Sequence, residues 1–240
     1  MIPPRRVPVS DDVQACLVPT PFINSDHPAV RKFALDAAGD AATEKDKAVR
    51  LFYAVRDGIR YDPYRIVLSV EGMRASTTLE KGYGYCVVKA VLLAACARVH
   101  GIPGRIGLAD VRNHLTTERL KDLMKTDLFT GHGYSELYLG GRWIKATPTF
   151  NMDLCDRFGV KPLDFDGVHD ALLHPYDQKG NRHMEYVQDH GSFNDVPLEM
   201  IKESFRVYYP TFFKPDGSPA IGGDFEREAV EDRASRAAGK

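Results

Sequence analysis

Two residues in this chain have the types and settings that covalent acyl chemistry needs, Cys86 and His132. Cys86 follows a glycine-containing turn, Lys81-Gly82-Tyr83-Gly84-Tyr85, and opens a run that is apolar nearly all round as far as His100. At the first turn of a helix, unpaired backbone N–H groups and the helix dipole favour an anion. That lowers a thiol pKa and favours the nucleophilic thiolate. The same N–H groups offer an oxyanion site beside the sulfur. Position alone reads equally as a packed cysteine at a helix start, because free cysteine is commonly buried. Cys96 gives the contrast: it sits mid-helix in Leu92-Leu93-Ala94-Ala95-Cys96 and reads as core filler. Cys16 and Cys155 lie in poorly patterned regions and receive no role.

His132 is the partner that a thiolate requires, since imidazole takes and returns a proton near neutral pH. It follows Gly131 at the mouth of a strand, and alternation puts His132, Tyr134, Glu136 and Tyr138 on one face. The run from His132 to Phe150 carries the clearest hairpin signal in the chain, two strand-forming segments around Gly140-Gly141. That turn places Leu139 opposite Arg142, Tyr138 opposite Trp143 and Glu136 opposite Lys145, an aromatic pair and an opposite-charge pair. Continued outward, the register sets Thr147 opposite Tyr134 and Thr149 opposite His132. Thr147 then lies diagonal to the histidine, where a group that orients the imidazole belongs. Tyr83 and Tyr85 flank the nucleophile and read either as cleft lining or as helix packing.

The elements that must position these residues are less regular. Residues 1–24 hold five prolines and read as an extended arm. Ser25 or Asp26 caps a helix with Pro28 in its first turn, ending near Ala38. Thr43 starts another, whose Ala48, Leu51, Phe52, Val55 and Ile59 share a face. Thr77 to Tyr85 is rich in turn formers. Gly101 and Pro103 stop the Cys86 helix, Arg105 to Asp110 reads as a strand, and Thr116 to Lys125 as a surface helix. Beyond Asn151 the pattern weakens to long loops with a strand at His183 to Gln188, and the segment from Glu226 reads as a frayed end. The expected organisation is one domain over 1–240, with a core at about 45–151, the arm at 1–24 and a loop-rich extension at 152–240.

Composition bounds the function classes. The chain has 240 residues, 43% hydrophobic, and a formal net charge of −1. That balance points to no nucleic acid and no anionic membrane surface. No apolar run approaches the roughly 18 residues of a membrane span, and the start lacks the apolar run of a secretory signal, so a cytoplasmic location is expected. Four cysteines are too few for a disulfide framework and match no zinc spacing, so reduced thiols are expected. The histidines at 169, 174, 183 and 190 fit no ligand pattern and read as solvated loop residues. There is no phosphate-binding glycine loop. No cofactor and no metal are expected.

The order Thr77-Thr78-Leu79-Glu80-Lys81-Gly82-Tyr83-Gly84-Tyr85-Cys86, then Gly101-Ile102-Pro103-Gly104-Arg105, then His132, Trp143 and Thr147-Pro148-Thr149, resembles the transglutaminase-like superfamily, which shares its fold with papain-type cysteine proteases. The resemblance covers about residues 45 to 151. It implies an α+β fold with helices packed on an antiparallel sheet and the nucleophile at the start of a central buried helix. It also implies Cys86 as nucleophile, His132 as proton shuttle and position 147 as the third member. The family usually has aspartate there, and this chain has threonine. A hydroxyl can hold the ring but adds no charge to stabilise imidazolium; Asn151 or an acid from Asp164 to Asp170 is an alternative source of that contact. The implied function is acyl transfer on an amide, as hydrolysis of a peptide, isopeptide or related bond. Transfer to an amine is the alternative, and a non-catalytic binding domain that keeps the fold is another, favoured by Thr147.

Overall fold

The computed structural model describes residues 13–113, 116–172, 184–214 and 222–238. Helix α1 (Pro28–Ala38) begins at the proline, and His27 caps it by accepting the Ala29 N–H on Nδ1. The expected cap at Ser25 or Asp26 is therefore displaced. Proline lacks an N–H and has a fixed φ, so it fits the first helical position and leaves the cap to the residue before it. Helix α2 (Glu44–Gly58) is capped as its sequence suggests, with Thr43 Oγ1 accepting the Asp46 N–H at 3.1 Å. Its expected inward face, Ala48, Leu51, Phe52 and Val55, is fully buried.

Between β1 (Arg60–Tyr61) and its parallel partner β2 (Tyr83–Gly84) lie two short helices, α3 (Val70–Met73) and α4 (Ala75–Lys81). The stretch expected as turn from Thr77 is helical. Gly82, at φ +68°, ends α4 in the left-handed region, so the glycine marks a helix stop within what reads as loop. Helix α5 (Cys86–Val99) is buried from Cys86 through Arg98, in keeping with a sequence that is apolar except for Lys89 and Arg98.

Strand β3 (Gly104–Asn113), helix α6 (Glu118–Met124), and strands β4 (Leu128–Leu139) and β5 (Arg142–Ala146) follow. Helix α7 (Met152–Phe158), strand β6 (Met184–Phe193), and helices α8 (Leu198–Tyr208) and α9 (Phe225–Ala238) complete the chain. Of the stretch expected as long loops after Asn151, helices α7, α8 and α9 are a correction, whereas β6 covers the strand expected at His183 to Gln188 and extends it to Phe193; His174 and His183 lie outside the described residues. Helix α8 buries Ile201 and Phe205, one side of a short amphipathic pattern. The segment read as frayed is helical because Phe225 and Ala229 pack inward and Glu228 is held by Tyr64 and Arg119.

The sheet runs β5-β4-β3-β6, antiparallel throughout, which makes the fold α+β. The hairpin register is as read, with Leu139 against Arg142, Tyr138 against Trp143 and Glu136 against Lys145. The aromatic pair forms, edge to face at 5.2 Å. The charges pair differently: Glu136 takes Arg105 of β3 at 2.5 Å, and Lys145 takes Asp189 of β6 at 2.8 Å. Helix α5 lies on β4 and β3, with Ser135 Oγ donating to the Ala90 carbonyl at 2.9 Å, and α1, α2 and α4 pack around it. Residues 13–24 lie against this core, with Cys16 and Ile23 fully buried. Among the described residues, no helix is long and apolar enough to cross a membrane.

Candidate active site

Cys86 is the first residue of α5, and Tyr85 before it provides no side-chain cap. The first helical bond runs from the Lys89 N–H to the Tyr85 carbonyl, so the amides of Cys86, Val87 and Val88 have no intrahelical acceptor. The amides of Cys86 and Val87 favour negative charge at the sulfur, as does that of Gly133, which donates to Sγ at 3.4 Å. Gly133 is free to do so because β5 pairs with β4 only as far as Ser135, opposite Ala146.

His132 is set by a β-bulge. Ala109 pairs with His132 and Val111 with Phe129, so Asp110 alone faces both Thr130 and Gly131. Gly131 has φ +65°, a conformation that strongly favours glycine. Its N–H is held by Asp110 Oδ1 at 2.9 Å, and the same oxygen accepts from His190 Nε2 at 2.8 Å. The bulge re-aims the strand at the point where the histidine leaves it. Neither Asp110 nor His190 stands out in the sequence as a positioning group; the alternation of glycines around His132 was the available signal.

Cys86 and His132 line one cavity with an empty volume of about 450 Å³. Both are nearly inaccessible, 8% and 4% exposed. Burial works against the expected acidic thiol: it pushes Cys86 up to about 11 against the three amides that favour the thiolate. Burial likewise pulls His132 down to about 4. Burial of each group favours its neutral form. Among the described residues the sulfur's hydrogen-bond donor is Gly133, and His132 Nε2 is buried without a partner.

Thr147 follows the end of β5, its N–H donating to the Ala171 carbonyl at 2.9 Å. Its Oγ1 and that of Thr149 are, like His132 Nε2, buried and unpartnered. The alternative sources of a third group are engaged elsewhere. Asn151 Oδ1 accepts the Tyr61 N–H, Asp170 accepts the Lys145 N–H, Asp166 holds His169, and Asp164 faces Tyr53 and Arg56. Tyr85 lines the cavity with its hydroxyl toward Met73 Sδ, while Tyr83 lies under the Arg65 guanidinium. Cys96 is fully buried with its thiol pKa pushed well up by desolvation, in keeping with core filler. Among the described residues no cluster of three or more histidine, cysteine, aspartate or glutamate side chains could hold a metal ion.

Residues 31–148 match the sequence profile of the transglutaminase-like superfamily, and the chain carries that superfamily's core over those residues. Two solved structures are similar to it. One is a candidate cysteine protease from Cytophaga hutchinsonii, 22% identical with a TM-score of 0.46, over 59% of this chain and 43% of that one. The other is a candidate protease from Parabacteroides distasonis, 17% identical with a TM-score of 0.35, over 56% of this chain and 26% of that one. The chain thus spans less than half the length of either. No curated protein matches it.

Proposed function

We propose that this chain is a cysteine-dependent amidohydrolase that cleaves a peptide, isopeptide or related amide bond. The observation that carries the reading is the shared cavity of Cys86 and His132 at the exposed amides of the α5 N-terminus. Burial alone pushes the thiol up to about 11 and the imidazole down to about 4, which favours the neutral pair before substrate arrives. The proton therefore moves as the carbon–sulfur bond forms. Cys86 Sγ attacks the amide carbonyl, His132 takes the thiol proton, and the carbonyl oxygen gains negative charge near the amides of Cys86 and Val87. Collapse breaks the C–N bond as the imidazolium protonates the departing amine, leaving a thioester on Cys86. Water, deprotonated by His132, then releases the acid and restores the thiol. Thr147, the position that the family resemblance gives to the third member, has a buried hydroxyl without a partner at rest, and in this reading it orients the ring during turnover.

The test is mass spectrometry of the protein mixed with an amide substrate panel. A transient acyl adduct on Cys86, absent in Cys86→Ser and His132→Gln, supports the reading. Products that incorporate an added amine in place of water would redirect it to acyl transfer. A panel with no adduct in the wild type would leave a non-catalytic domain, the reading that threonine at position 147 favours.

A further inference from the structure

Resting on the reading of Cys86 as an acyl acceptor, we infer that the acyl portion of the substrate is uncharged and apolar, an aromatic or branched aliphatic acid, selected by Phe205, Tyr209 and Phe212. These three line the cavity from α8 and the turn after it, outside the matched core at 31–148. Their rings pack on one another, Phe205 on Tyr209 at 5.2 Å and on Phe212 at 5.8 Å. Ile66, Met124 and Phe129 line the same space.

Several polar atoms at its wall are already engaged. Tyr209 Oη donates to the Leu128 carbonyl at 2.8 Å and accepts the Thr130 N–H at 2.6 Å. Thr130 Oγ1 accepts from Ser204 at 2.7 Å. The Asp110 carboxylate at the neighbouring bulge is held by Gly131 and His190. Among the described lining residues none carries a charge at neutral pH, His132 being kept neutral by burial. A carboxylate or ammonium on the acyl group would lose its hydration and meet no partner, whereas a phenyl or isobutyl group would leave water for an apolar wall. The polar side-chain groups left on the wall, the sulfur, the imidazole and the Tyr61 hydroxyl, are all uncharged.

Two measurements separate this inference from the hydrolase reading beneath it. Binding of phenylacetamide, isovaleramide and succinamate to Cys86→Ser, followed by calorimetry, reports the cavity without chemistry. Turnover of the phenylacetyl, isovaleryl and succinyl p-nitroanilides by the wild type reports both. The expected result is at least a tenfold preference for the two apolar acyl groups over the charged one in each assay. Phe212→Leu, a mild change that keeps an apolar wall, narrows the margin of phenylacetyl over isovaleryl. Preference in binding without turnover upholds the apolar ligand and removes the hydrolase. Turnover without preference does the reverse, and equal or tighter binding of succinamate overturns the inference.

Discussion

Gly133 and Val87 are so closely apposed that a Cβ on the glycine would lie 2.6 Å from the valine Cα. The contact sets the start of α5 against β4 and brings the Gly133 amide to the sulfur of Cys86. Gly133→Ala must push helix and strand apart, because the obstacle is backbone and cannot rotate away. A loss of about 1–3 kcal/mol in urea unfolding is expected, as for other overpacked interiors. Turnover should fall more steeply than stability. An unchanged rate in a folded Gly133→Ala protein would show that this amide does not position the nucleophile.

The pH behaviour follows from burial. With a thiol at about 11, the thiolate fraction of Cys86 at pH 7 is roughly one part in ten thousand. Alkylation by iodoacetamide should therefore rise about tenfold per pH unit from pH 7 to 10, with Cys96 slower throughout. A plateau below pH 7 would reveal a preformed thiolate–imidazolium pair instead.

His132 gives a matching signature in stability. Its folded value of about 4 lies below the ordinary 6.5, so between these values the unfolded chain binds more protons. Stability is complete above pH 6.5 and is lost as pH falls toward 4, by about 3 kcal/mol in all. Unfolding curves at pH 7, 5.5 and 4 for wild type and His132→Gln isolate this contribution, since the variant lacks it.

Thr147→Val replaces a buried hydroxyl that has no partner with a methyl group of the same shape. Stability should rise by about 1 kcal/mol. If the hydroxyl orients His132 during turnover, kcat falls severalfold while KM holds. Gain of stability with unchanged kcat would assign Thr147 no part in the reaction.

Lys89 is fully buried on α5, and its Nζ donates to the carbonyls of Arg56 at 2.9 Å and Ile59 at 2.5 Å, where α2 ends. Burial lowers it to about 7 from 10.5. Between these values the unfolded lysine keeps a proton that the folded one gives up, so its contribution to stability rises with pH, by up to about 1.4 kcal/mol per unit. Lys89→Met strands two carbonyls and should destabilise the protein. The deficit relative to wild type, measured by chemical denaturation, should widen from pH 7 to 10.

The β4–β5 hairpin was legible because its period, turn and cross-strand pairs agree with one another. Cys86 at a helix start was legible because a glycine turn meets an apolar run. What escaped has physical reasons. The thiol was expected acidic because the helix end is visible in sequence, whereas the walls that desolvate it, such as Phe205 and Phe212, lie more than a hundred residues away. The bulge depends on Asp110 meeting Gly131 across two strands, a pairing that no local pattern encodes. Helix α9 hides because its stability comes from Phe225, Ala229 and Glu228 reaching distant partners, within a stretch that is otherwise polar.

Strand β6 completes the outer edge of β3, and α8 with the turn after it supplies one wall around Cys86. Both come late in the chain. On the ribosome, the helix bearing the nucleophile emerges long before its shelter does. Until residue 212 has been made, the sulfur lacks three of the rings that line its cavity, and β3 keeps one edge unpaired. Shielding of the thiol thus waits for residues 205–212, and a nascent chain halted at residue 151 would leave Cys86 more open to reagents than the folded chain does.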